Sequence, residues 1–148
     1  MVTKKGIHTV GYEGLHIDDF VIKIKNHGIS QLIDVREIPL SRKRGFSKTA
    51  LHERLKLEGI DYIHLKDLGS PKLLRESLKQ NWDYVSFFNE FTEHLEKKLH
   101  VLDGMLPSIY QNNSCLMCFE ESADKCHRSV VADMLSRQSG NELGVVNI

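Results

Sequence analysis

The segment Cys118-Phe-Glu120-Glu-Ser-Ala-Asp-Lys-Cys126-His127-Arg128-Ser129 places thiol, carboxylate, imidazole and guanidinium groups within eleven positions. An apolar run, Cys115-Leu-Met-Cys118, precedes it, and an amphipathic one, Val130-Val131-Ala-Asp-Met134-Leu135, follows. That order predicts a buried strand, a polar loop and a helix. In an open α/β sheet this is the place where ligands bind. Cys118 ends the strand beside a helix start and Arg128, and both features stabilise a thiolate. The other reading of Cys118 is a buried thiol acting as a small hydrophobe. Glu120 lies two residues on and shares its face, where a carboxylate serves as nucleophile, as general base or as a hydrogen-bond acceptor for the helix start. Glu120, Cys118 and His127 are the candidate catalytic residues. Arg128 falls in the first helical turn, where a cation opposes the helix dipole. It therefore predicts a bound anion or an ion pair with Glu120.

The cysteines also raise metal and redox chemistry. Cys118, Cys126 and His127, with His64 as a fourth, form a set that zinc accepts. Adjacent Cys126 and His127 are expected to point different ways, however. Cys115 and Cys118, three apart on a strand, face opposite sides of the sheet. The sequence therefore predicts no metal site, no cofactor and no redox pair, with Cys115 in the core.

These groups need a sheet to position them. Ile7 to Gly11 reads as a first strand, and Asp18 or Asp19 as the cap of a helix through Phe20, Val21 and Ile24, stopped by Gly28. Ser30 to Arg36 is a second strand and Pro39 to Ser47 a loop. Ser47 caps a helix carrying Ala50, Leu51 and Leu55, which closes at Gly59. Ile60 to Leu65 is a third strand. Gly69-Ser70-Pro71 opens a short helix over Leu73 to Lys79, and a longer one runs from Asp83 to His100 on a Val85, Phe88, Phe91, Leu95, Leu99 stripe. Asp103 to Asn113 reads as a connection, and Gly144 to Ile148 as a terminal strand. The alternation predicts one domain over residues 1–148: an α/β fold, a three-layer α/β/α sandwich on a mostly parallel sheet of about five strands.

The strand ends of a parallel sheet share one edge, and polar residues gather there. Gly11-Tyr12-Glu13-Gly14 follows the first strand. It is neither a Walker A loop nor the full dinucleotide fingerprint. It reads either as a close backbone approach to a ligand or as an ordinary turn. Asp34 and Arg36 lie on one side of the second strand, to pair with each other or to flank a ligand. Ser41-Arg42-Lys43-Arg44-Gly45-Phe46-Ser47 is the basic loop, either solvated or holding phosphate, with Phe46 available to stack on a base. The candidate ligand-binding residues are Gly11, Tyr12, Glu13, Asp34, Arg36, Ser41, Arg42, Lys43 and Arg128.

Composition narrows the classes. At 41% hydrophobic and 27% charged, the chain has the make-up of a soluble globular domain rather than a disordered one. Its formal net charge is zero, so nucleic acid would have to be met by a local patch. No apolar run predicts a membrane span, and Met1 to Ile7 carries no signal-peptide core. Three cysteines without framework spacing fit a reducing cytoplasm.

Thr9-Val-Gly-Tyr-Glu-Gly14, Leu32-Ile-Asp-Val-Arg36, Pro39-Leu-Ser-Arg-Lys43 with Gly45-Phe-Ser47, and Leu116-Met-Cys-Phe-Glu120 with Cys126-His-Arg128 together resemble the family called domain of unknown function 488. The resemblance implies an α/β domain with these motifs gathered in one pocket, and no particular reaction. It leads one to expect histidine at Asn147, a departure that weakens any role of the C-terminal strand in the pocket. A lesser similarity, through Ile33-Asp-Val-Arg-Glu37 and Cys118 with Arg128-Ser129, is to rhodanese-like and cysteine-phosphatase domains. Their anion cradle is a tighter loop than the nine residues between Cys118 and Arg128. Three functions follow: an enzyme or binder for a phosphate-bearing small molecule, nucleotide or nucleic-acid end; a Cys118 thiolate enzyme; or a non-enzymatic nucleic-acid-binding module.

Overall fold

The computed structural model describes residues 5–148; Met1 to Lys4, read above for a leader, lie outside the described residues. Five strands, β1 (Lys5–Gly11), β2 (Gln31–Asp34), β3 (Asp61–His64), β4 (Ser114–Cys118) and β5 (Leu143–Asn147), form one sheet. Its order is β3-β2-β4-β1-β5, and every pairing is parallel. Six helices connect the strands: α1 (Ile17–Asn26), α2 (Lys48–Leu57), α3 (Lys72–Asn81), α4 (Tyr84–Glu96), α5 (Leu99–Gln111) and α6 (Arg128–Gln138). None is long and apolar enough to cross a membrane.

Side-chain alternation along the strands creates two cores. Val10, Leu32, Cys115 and Met117 pack on one face against α1 and α2, with Phe20, Ile24, Leu51 and Leu55. Ile7, Ile33, Leu116 and Cys118 pack on the other against α4, α5 and α6, with Phe91, Leu102, Ile109 and Leu135. Cys115 and Cys118 thus face opposite sides, as strand geometry requires. The two faces also explain where a cleft must open. The chain leaves β1 and β2 toward one face and leaves β4, which lies between them, toward the other. Diverging connections from neighbouring strands leave a crevice at their carboxyl ends.

Several local expectations are corrected. His16, not Asp18 or Asp19, caps α1, its Nδ1 accepting the Asp18 N–H at 3.3 Å. Ser47 precedes α2, but its hydroxyl makes no cap bond; it ties to the backbone of Ser41 instead. The long helix divides at Lys97 and Lys98, and the expected connection after Asp103 is helical, part of α5. Pro107 sits exposed within α5, while Leu102, Met105 and Ile109 keep helical spacing on its buried side. The buried stripe of α4 is Phe87, Phe91 and Leu95, and Val85 is exposed.

Candidate functional site

Beyond their last paired residues, β1 and β4 continue side by side. Tyr12 and Glu13 donate backbone N–H bonds to the carbonyls of Cys118 (3.2 Å) and Phe119 (2.7 Å). Glu13 Oε1 accepts the Glu121 N–H at 3.0 Å. A Cβ on Gly11 would fall on the Glu120 carbonyl, so this glycine admits the chain's own backbone rather than a ligand. The loop after Cys118 is then fastened from inside by Arg128. Its guanidinium is fully buried and donates to the carbonyls of Glu120 and of Glu121 (3.1 Å), with Nη1 also 3.5 Å from Cys118 Sγ. Burial holds the Arg128 guanidinium below its usual pKa. Arg128 makes no ion pair with Glu120 among the described residues. Arg128 shapes the loop.

The other strand-end charges are also committed. Asp34 is fully buried and receives Arg36 through Nε (2.9 Å) and Nη2 (2.7 Å), with Tyr62 Oη donating at 2.6 Å. Of the two readings for this pair, mutual pairing is the one observed. Burial opposes the Arg36 charge, but the Asp34 carboxylate more than offsets it and raises the Arg36 pKa. Arg36 Nη1 donates to Tyr12 Oη at 3.1 Å. Tyr12 stacks on Phe46 at 4.4 Å between ring centroids, and Phe46 is fully buried. Phe46 is therefore a core residue and presents no face to a base.

A cleft of about 420 Å³ opens over these strand ends. Tyr12, Arg36, Ser41, Arg42, Cys118, Glu120 and His127 line it, so seven of the expected site residues meet there. Asp34 and Arg128 are fully buried and not among its walls. Glu13 faces an adjoining hollow, and Lys43 is not among its walls. The reading from strand ends missed Arg75 and Lys79, which α3 contributes to the cleft with Glu37 and Ser70. Arg75 pairs with Glu37 at 3.1 Å and also donates to the Ser70 carbonyl. The missed signal was their spacing of four, which places both cations on one helix face. A larger cavity of about 770 Å³ lies along α2 and β3. It contains none of the strand-end candidates.

Glu120 reaches the cleft half-buried, its Oε2 3.4 Å from Cys118 Sγ. Burial pushes its carboxyl above the usual range. His127 is buried, with Nε2 2.7 Å from the Val35 carbonyl. Burial lowers its pKa to about 4, so the ring is neutral. Cys118 and Cys126 are joined as a disulfide, while Cys115, on the other face of the sheet, is free. In this state Cys118 is no thiolate nucleophile. The expected divergence of Cys126 and His127 is corrected. Cys126 is extended and His127 helical, so the chain bends between them and brings Cys126 Sγ within 3.7 Å of His127 Nδ1. One ligand atom each from Cys118, Cys126 and His127 lies within 4.8 Å of the others. His64 is elsewhere, against the Arg36 carbonyl at 2.7 Å.

A family model, described as domain of unknown function DUF488, matches residues 16–135, most of the chain. The chain belongs to the DUF488 family. No curated protein and no solved structure matches it. Within this DUF488 member the matched span covers the walls from Arg36 to His127, but Tyr12 precedes it. Asn147 lies on the far side of β1, where its side chain accepts from Thr9 Oγ1.

Proposed function

We propose that the cleft at the carboxyl edge of the sheet takes a phosphate-bearing small molecule, such as a nucleotide or a nucleic-acid end, and acts on it as a hydrolase or transferase. One observation carries the reading: the cleft has cations without partners in a chain of zero net charge. Arg36 is neutralised by Asp34 and Arg75 by Glu37. Arg42 and Lys79 line the same walls and make no ion pair among the described residues. Guanidinium and ammonium groups converging on one hollow favour a multiply charged oxyanion. Glu120 lines the same cleft, where it can exchange a proton with the bound molecule. A cytoplasmic setting suits both a phosphorylated ligand and a chain with three cysteines.

Calorimetric titration with a nucleoside monophosphate and with inorganic phosphate tests this. Binding should weaken as salt rises, and the Arg42→Ala, Lys79→Ala double variant should lose at least about tenfold in affinity. If neither probe binds, or the double variant binds as well as the parent, the reading fails. Glu120→Gln should keep the binding and abolish any turnover found.

A further inference from the structure

The disulfide leaves an arrangement around it that a disulfide does not need. His127 Nε2 lies 2.7 Å from the Val35 carbonyl, which can only accept, so Nε2 carries the proton. The lone pair on Nδ1 is thereby left facing Cys126 Sγ at 3.7 Å. Two neighbouring ligands on a tetrahedral zinc, with Zn–S of about 2.3 Å and Zn–N of about 2.0 Å, stand about 3.6 Å apart. The Cα atoms of Cys118 and Cys126 are 7.5 Å apart. Disulfides usually span roughly 4.4–6.8 Å between Cα atoms. Two thiolates on one zinc need their sulfurs about 3.8 Å apart, which suits the wider backbone.

The surroundings are those of a thiolate pair. The Arg128 backbone N–H points to Cys126 Sγ at 3.5 Å, and its Nη1 to Cys118 Sγ at 3.5 Å. N–H groups aimed at both sulfurs, and a carbonyl holding the imidazole, orient ligands as an outer shell does. Arg128 also has no carboxylate partner among the described residues, so thiolates beside it find a cation in place.

We infer that Cys118, Cys126 and His127, once the cysteines are reduced, form a zinc site whose fourth position opens on the cleft. Two ligands, Cys118 and His127, line that cleft, and Glu120 Oε2 stands 3.4 Å from Cys118 Sγ, within reach of a zinc-bound water. A dithiol reductant converts the disulfide to two thiols and is itself oxidised to a cyclic disulfide. Zinc then displaces the two thiol protons to solvent. Three protein ligands and one open position are the pattern of catalytic rather than structural zinc. The metal site shares the cleft and Glu120 with the phosphate reading, but its ligands are not the cations Arg42 and Lys79, so metal binding and phosphate binding can fail separately.

Cobalt titration of the dithiothreitol-reduced, desalted protein tests it. One cobalt per chain should give thiolate-to-metal charge-transfer absorption and the visible bands of a tetrahedral ion, and zinc should displace both. Cys118→Ser and Cys126→Ser should each lower zinc affinity by more than the 10- to 100-fold typical of outer-shell changes, while Cys115→Ser, on the other sheet face, should change nothing. Should the serine variants fail to fold by circular dichroism, iodoacetamide mapping of the reduced parent decides. Zinc must protect Cys118 and Cys126 together. Absence of the charge-transfer band, its survival in folded Cys118→Ser, or labelling indifferent to zinc would overturn the assignment.

Discussion

Arg36 and Arg128 follow neighbouring strands at the same sheet edge, and both are buried. They differ in what meets their charge. Arg36 lies against a fully buried carboxylate, with Tyr12 and Tyr62 completing the network. Arg128 meets two carbonyls and a sulfur, and its Nε is buried without a partner. The first arrangement is closed: any ligand at Arg36 competes with Asp34. The second is incomplete, and the groups it could still stabilise are the sulfurs beside it. Residue type alone made the two arginines equivalent as anion binders. Their neighbours separate them into a structural ion pair and a clamp on the cysteine loop.

Breaking the closed arrangement should have the largest effect. Asp34→Ala leaves the Arg36 charge buried and unpaired, and unfolding free energy should fall by about 3–5 kcal/mol in urea titrations. Replacing both partners, with Asp34→Leu and Arg36→Met, should restore much of the loss, because no orphan charge remains. If the double variant is no better than the single, Asp34 is doing something other than neutralising Arg36.

His127, next to the clamp, gives a pH-dependent effect, read on the oxidised protein with chelator present. Its folded pKa, about 4, lies below the ordinary value of 6.5, first through burial and also through the charge of Arg128. The unfolded chain therefore takes up the proton first. Stability should hold above about pH 6.5 and fall by roughly 3 kcal/mol on the way down to pH 4. Glu120 works in the opposite sense: its folded carboxyl is raised by burial, so stability declines as pH rises through the ordinary carboxylate range. His127→Gln should remove the acid-side fall and leave the Glu120 slope. An unchanged profile in that variant would assign the fall to other groups.

Arg128→Met should cost about 2–3 kcal/mol, less than Asp34→Ala. It removes charge-assisted bonds to two carbonyls, but it strands no opposite charge, and Glu120 and Glu121 lie near enough to solvent for water to replace the donors. A loss equal to that of Asp34→Ala would erase the distinction between the two arginines.

How far the sequence revealed all this depends on the range of the interactions. The strands were legible because each is a short apolar run between turn residues, and their alternation with helices required parallel pairing. Helix α5 was not, because Gly104 and Pro107 read as breakers; tertiary packing of Leu102, Met105 and Ile109 overrides them. At the site, listing strand ends recovered Tyr12, Arg36, Cys118 and Glu120, since topology alone puts them on one edge. It missed Arg75 and Lys79 because they arrive on a helix. It did not reveal the hold of Arg128 on the loop, the disulfide or the convergence of His127 on Cys126, because all three depend on the path of residues 119–127, which no periodicity specifies.

The smallest stability change should come from the cations on the open wall, and it is the most informative for function. Arg42 and Lys79 are exposed and unpaired among the described residues, so Arg42→Ala and Lys79→Ala should each alter unfolding free energy by less than about 0.5 kcal/mol. Each should nevertheless weaken phosphate binding severalfold, with a shallower salt dependence, whereas Lys43→Ala, outside the cleft, should leave binding nearly unchanged. This inverts the pattern at Arg36 and Arg128, where stability falls first. A cation whose removal costs no stability but does cost affinity is one the fold has left free for a ligand. If Lys43→Ala weakens binding as much as Arg42→Ala, the anion is held by the diffuse charge of the basic loop, and the cleft geometry does not select it.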